Sequence, residues 1–330
     1  MYSGKGKLIP FPHFTIIMVI KAIHEVIILK TVNEIIERAK TLKPKKIAVA
    51  VAQDSEVLSA VEKARMAGIA GAILVGSKGK IEEIAEKSSI SLTEFEIIDI
   101  EDVKEACAKA VSLITEGRAH ILMKGIIDTS IFLKAVLNPE SGLRTGSTLS
   151  SVGISEIYGY DRLIMFSDAA MNPEPDFEVK KHIIENAVKV AHAIGIDEPK
   201  VAVLSAKEKV DPKVASTIDA KELENMNKKG QIKGCIVAGP VALDIAVSRE
   251  AAEHKGYENP VGGCADILVV PNLEVGNVLY KSMVYFARAK SAGIVIGAKA
   301  PVIVTSRSDS DETKLNSIAL SVLVSDKFGM

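Results

Sequence analysis

From Lys46 to the C-terminus, short apolar runs alternate with longer stretches of helical periodicity, and that rhythm leaves little choice but an α/β fold. A strand covered on both faces reads as a brief, continuous apolar run, and parallel strands need a helix-length crossover between them. Runs at 47–52, 72–75, 95–98 and 120–123 are separated by helical patterns that begin near Asp54 or Ser55 and Lys80, then span 101–115 and 129–137. This predicts a parallel sheet with crossover helices. The cluster Asn-Pro-Glu-Ser-Gly at 138–142 ends the series, because Pro139 disfavours a helical Asn138 and Gly142 permits positive φ. A second series follows, with strands at 151–157, 163–166, 201–204, 235–238, 267–270 and 293–296 and helices over 176–194, 212–228 and from Glu274. The closing strand at 302–305 and helix at 312–324 are too small for a domain and are expected to return to the first unit. The expectation is two α/β domains with a cleft between them: 29–141 plus 297–330, and 142–296, with 1–28 as an N-terminal appendage. Clefts between domains are favoured ligand sites.

Composition removes several classes of function. Among 330 residues, 41 basic and 42 acidic side chains leave a formal charge of -1, so there is no electrostatic footprint for nucleic acid. The apolar run at 14–20 stops at Lys21 with no cleavage-site pattern behind it, which argues against a signal peptide or membrane span. Cys107, Cys235 and Cys264 are far apart, fitting neither a zinc site nor a disulfide framework and suiting a reducing cytoplasm. His120, His182, His192 and His254 are scattered without a metal-binding spacing, so no metal is expected. Residues 142–148 lack the length and the lysine of a nucleotide-binding P-loop, and no G-x-G-x-x-G follows a strand.

The most informative segment is Thr-Ser-Arg-Ser-Asp-Ser-Asp-Glu at 305–312, between a strand end and a helix start. Open α/β sheets place ligands at such ends. The Arg307 guanidinium can hold phosphate oxygens bidentately, free helix N–H groups can add to it, and a carboxylate can take a proton. Helix capping accounts equally well for Asp309, Asp311 and Glu312, but not for Ser306-Arg307. Weaker candidates are the turn at Gly239-Pro240 with Asp244 in the following helix, the loop Asp168–Pro173 containing Asn172, and residues 271–281. In the last, Gly276 interrupts a helical pattern and signals a close backbone approach.

In order, Lys124-Gly125, Thr129, the Gly142–Gly146 turn with Arg144, the Asp168 loop, Gly239–Asp244, 271–281 and 305–312 resemble the phosphate acetyltransferase and phosphate butyryltransferase family, over about residues 30–330. The final motif, with Glu-x-x-x-Leu-x-Ser-Ile-Ala after it, resembles the butyryl branch. The resemblance implies an architecture like that of isocitrate and isopropylmalate dehydrogenases. It also implies a reversible reaction, acyl-CoA plus phosphate giving acyl phosphate plus coenzyme A, by direct transfer in a ternary complex. Coenzyme A is then a substrate, with no cofactor, and the enzyme would be a cytoplasmic homodimer or larger homo-oligomer. Ser306 and Arg307 match residues beside the reacting centre. The family's aspartate base falls on Thr313, which leaves Asp309, Asp311 or Glu312, of which Asp309 is nearest the strand end. Tyr280 and Lys281 resemble contacts to acyl phosphate, and Thr129, Arg144, Asn172, Gly239, Pro240 and Asn277 are implied in substrate binding. Ser151 and Cys264 depart from the pattern, standing where histidine and lysine are commoner. Competing readings are an acetyl-CoA enzyme, a transferase using acyl carrier protein, a decarboxylating NAD-dependent dehydrogenase and a non-catalytic binding protein on this scaffold.

Overall fold

The computed structural model describes residues 28–306 and 309–330. The expectations for residues 1–17, for most of the 1–28 appendage and for Arg307 therefore lie outside the described residues.

Each apolar run expected as a strand becomes one: β1 Lys45–Ala50, β2 Ala70–Gly76, β3 Glu96–Asp99, β4 Ile121–Lys124, β5 Ser150–Glu156, β6 Ile164–Ser167, β7 Lys200–Leu204, β8 Ile236–Val241, β9 Ile267–Val269, β10 Lys290–Ile296 and β11 Val302–Ile303. They form one 11-stranded sheet in the order β3-β2-β1-β4-β11-β10-β5-β6-β9-β7-β8. The sheet is continuous across the boundaries expected near 142 and 297. Both flanks are parallel. The centre is not, since β10 runs antiparallel to β11 and β5, and β5 antiparallel to β6. The parallel sheet expected for the first series is present as β3-β2-β1-β4, and the reversals lie between β11 and β6. The links between β5 and β6 and between β10 and β11 are too short for a crossover helix, so each can only make a reversal. Three reversals leave the two flanks pointing in opposite directions.

Among the described residues, the helices are α1 Val32–Lys40, α2 Ser55–Met66, α3 Lys78–Lys87, α4 Val103–Thr115, α5 Thr129–Val136, α6 Phe177–Ala193, α7 Ala215–Lys228, α8 Leu243–Val247, α9 Arg249–His254, α10 Leu273–Tyr285 and α11 Asp311–Phe328. Their starts follow local chemistry: Asp54, Asp102, Asp176, Asn272 and Ser310 each accept a hydrogen bond from a first-turn N–H. α11 shows no apolar stripe because it is covered nearly all round, packing on β10, α1 and α2, with Ser321 and Ser325 bonding backbone carbonyls from inside the core. It follows β11, which pairs with β4, so the C-terminal strand and helix do return to the first unit. Gly142 is needed for a reason other than the one expected. Its φ is not positive, but a Cβ there would lie 2.4 Å from the Asn138 carbonyl oxygen. Among the described residues, no helix is long and apolar enough to cross a membrane.

Candidate active site

β11 is so short that it meets β10 at one pair, Val295 with Val302, before the chain turns away. The sheet edge it abandons is partly satisfied by Ser317 of α11, whose hydroxyl accepts from the Gly293 N–H at 3.0 Å. In the remaining gap lies a cavity of about 260 Å³. Its floor comes from central strands, with Ser151, Gly153, Phe166, Gly293 and Val295. Thr129 reaches it from the start of α5, Asn277, Tyr280 and Lys281 from α10, and Thr305, Ser306 and Asp309 from the loop before α11.

Asp309 is fixed on both carboxylate oxygens. Oδ1 accepts from the Tyr280 hydroxyl at 3.1 Å and Oδ2 from the Ser306 N–H at 2.7 Å. Lys314, a buried lysine of α11, donates to the Asp309 carbonyl oxygen at 2.5 Å and so anchors the loop from behind. Burial, and then the Asp309 charge and hydrogen bond, push the Tyr280 phenol well above its ordinary value, so it remains a proton donor. The Tyr280 ring stacks on Phe166 at 5.8 Å, and the Lys281 ammonium lies 5.7 Å from the same ring. The three candidate bases separate clearly. Asp311 turns to α2, where Lys63 at 2.6 Å and Ser59 at 2.9 Å hold its carboxyl below the usual range, and Glu312 is exposed away from the cavity.

The opposite wall is organised by Asp168, which is buried. Its Oδ1 accepts from the Ser151 hydroxyl at 2.5 Å and from the N–H groups of Ala170 and Met171 at 3.0 Å; its Oδ2 accepts from Asn172 at 2.5 Å. Asn172 also donates to the Leu149 carbonyl at 2.8 Å, and Ser151 accepts from the Ala169 N–H at 3.0 Å. Gly276 lets α10 close on this loop, since a Cβ there would sit 2.7 Å from the Asp168 carbonyl oxygen. The close approach expected from the sequence is thus to the protein's own backbone. Asp168→Ala would strand these partly buried donors, at up to about 1–3 kcal/mol each when left unmet. We expect a net loss of about 3 kcal/mol and a fall in Tm of roughly 5–10 °C, measured by thermal denaturation, and an unchanged Tm would contradict this role.

Other expected residues are dispersed. Arg144 and Asn172 line an adjoining hollow of about 380 Å³ that shares Met171 with the first cavity. Gly239 and Pro240 are buried in β8 and line neither; Gly239 passes under α7, where a Cβ would meet the Ala220 carbonyl oxygen at 2.6 Å. Burial pushes the Cys107 and Cys235 thiols up to about 11 and about 12. At Cys264, burial raises the thiol, but Arg249 at 3.2 Å together with Lys200 and Arg162 brings it below its ordinary value. Sequence reading missed that cationic neighbour. Cys264 precedes β9, whereas the Asp168 loop lies beyond the C-terminal end of neighbouring, parallel β6, at the other edge of the sheet. Sequence reading also missed Ser151 as a partner of Asp168, and Ser317; no spacing signal connects either with its partner. Among the described residues, His, Cys, Asp and Glu form no cluster able to hold a metal ion.

The sequence matches the family described as Phosphate acetyl/butaryl transferase over residues 30–109 and 101–322. It is 52% identical over 296 residues to a phosphate butyryltransferase of Clostridium acetobutylicum, covering 90% of this chain and 98% of that protein. It is 44% identical over 291 residues to a phosphate acetyltransferase of Thermotoga maritima, covering 88% and 98%. The crystal structure of a branched-chain phosphotransacylase from Enterococcus faecalis V583 superposes with a TM-score of 0.75 at 35% identity, covering 85% of this chain and 98% of the other.

Proposed function

The chain belongs to the Phosphate acetyl/butaryl transferase family, and from that premise we propose that it moves a butyryl or branched short-chain acyl group reversibly between coenzyme A and inorganic phosphate. The observation that carries the reading is Asp309, held by Tyr280 and Ser306 beside a cavity whose floor includes the apolar Phe166 and Val295.

In the direction of acyl phosphate plus coenzyme A, the thiol attacks the acyl carbon, a C–S bond forms, the C–O bond to phosphorus breaks and phosphate leaves with that electron pair. A thiol of pKa near 8.5 is only a few per cent ionised at neutral pH, so a carboxylate that takes its proton accelerates attack. Each oxygen of Asp309 spends one lone pair on its holding bond and retains another for the thiol proton. In reverse, protonated Asp309 returns the proton to the departing thiolate. Ser306, Arg307 and Lys281 serve as donors for the phosphoryl group and the developing oxyanion, with the N-terminus of α5 at Thr129 favouring the same negative charge. Arg144, in the adjoining hollow, suits a phosphate of coenzyme A. No electrons are gained or lost, so the balance calls for no redox cofactor. The three cysteines lie outside the cavity, which supports direct transfer without an acyl-enzyme. Three cysteines set far apart in the sequence suit a reducing cytoplasm.

The Thermotoga relative keeps an acetyl-CoA reading alive, and chain length separates the two. One methylene in an apolar pocket changes specificity by about 10- to 200-fold, so butyryl-CoA should exceed acetyl-CoA in kcat/KM by at least about tenfold. Equal or better use of acetyl-CoA would assign the chain to acetyl transfer instead.

A further inference from the structure

Gly153 of β5 and Gly293 of β10 face each other across an antiparallel pair on the cavity floor, and only one of them has a local reason to be glycine. A Cβ at Gly153 would lie 2.2 Å from Cζ of Phe166, so the aromatic ring excludes any side chain there. At Gly293 the backbone is free of positive φ, and a Cβ would meet nothing nearer than the Val152 carbonyl oxygen at 4.0 Å. Glycine within a strand weakens it, and such a glycine often marks the close approach of a ligand. The empty half of Gly293 is the cavity itself. Directly paired strand residues share a face, so the missing side chain would rise from the same surface as the Phe166 ring, with Val295 and Val304 adding apolar lining.

We infer that Gly293 is the chain-length determinant: the distal carbons of the acyl group lie across its α-carbon, against Phe166, while the reacting carbonyl stays near Ser306 and Asp309. The inference rests on the acyl-transfer reading above and adds the surface that measures the substrate. A side chain at 293 would occupy the space that the third and fourth acyl carbons require and leave room for an acetyl group.

The test is Gly293→Ala and Gly293→Val, assayed by phosphate-dependent thiol release from acetyl-, propionyl-, butyryl- and pentanoyl-CoA, with Tm measured in parallel. Gly293→Ala should lower the butyryl-to-acetyl ratio of kcat/KM by about 10- to 200-fold, with acetyl-CoA retained within about threefold and Gly293→Val more severe. Tm should be unchanged or raised, because a compatible alanine restricts the unfolded chain. Gly71→Ala, at another strand glycine with open space around it and far from the cavity, should leave the ratio unaltered. An unchanged ratio in active Gly293→Ala, or equal losses for every acyl-CoA, would overturn the inference while leaving acyl transfer intact. A large loss of Tm would overturn it too, by contradicting the open space. Wild-type protein that releases no thiol with phosphate from any acyl-CoA would instead sink the parent reading.

Discussion

Replacing Asp309 by asparagine is expected to lower kcat for butyryl phosphate plus coenzyme A by about 10²- to 10⁴-fold at neutral pH, the usual contribution of a positioned general base. Asparagine preserves the shape and one of the acceptors for Tyr280 and Ser306 but cannot take the thiol proton. The KM for phosphate in the reverse direction should therefore change little. As pH rises toward the thiol pKa, coenzyme A ionises without help, so the defect should shrink. A rate close to wild type at neutral pH would remove Asp309 as the base. Asp311 would be a poor substitute, because its carboxylate is already committed to Lys63 and Ser59.

Arg307→Ala should lower kcat/KM for phosphate by about 10²- to 10³-fold, through a raised KM and a reduced kcat if the guanidinium also steadies the oxyanion. Arg307 follows Ser306 directly and precedes Asp309 by two positions, and both of those residues line the cavity. Arg307→Lys should recover only part of the loss, since an ammonium keeps the charge but not the planar fork that binds phosphate oxygens in pairs. The contrast with Asp309→Asn is the useful feature: one variant is defective toward phosphate, the other toward the thiol. Unaltered kinetics in Arg307→Ala would move the phosphate site away from this motif.

Much of this arrangement was legible in the sequence because burial leaves local marks. The strands are apolar runs, several helix starts carry a capping Asp, Asn or Ser, and Gly276 announced a close contact. Pairing leaves no such mark. β5 and β10 read as ordinary strands, and only their short links to β6 and β11 hint that the centre of the sheet reverses. The cavity depends on that reversal and on β11 ending early, so its floor of Gly153, Phe166 and Gly293 could not be foreseen. The same limit applies to Asp168: its loop was singled out, yet its role depends on Ser151, which sits on another strand. Among Asp309, Asp311 and Glu312, the sequence favours Asp309 only by its nearness to the strand end. The first turn of α11 separates them, aiming Asp311 at α2 and leaving Asp309 with Tyr280.

Acyl transfer between coenzyme A and phosphate is tested most directly by its stoichiometry. Purified protein incubated with butyryl-CoA and inorganic phosphate, without added nicotinamide cofactor or metal, should release free thiol together with hydroxylamine-trappable butyryl phosphate. The two products should appear in equal amounts, and both should depend on phosphate. Thiol release that persists without phosphate, or that yields free butyrate in place of butyryl phosphate, would contradict it.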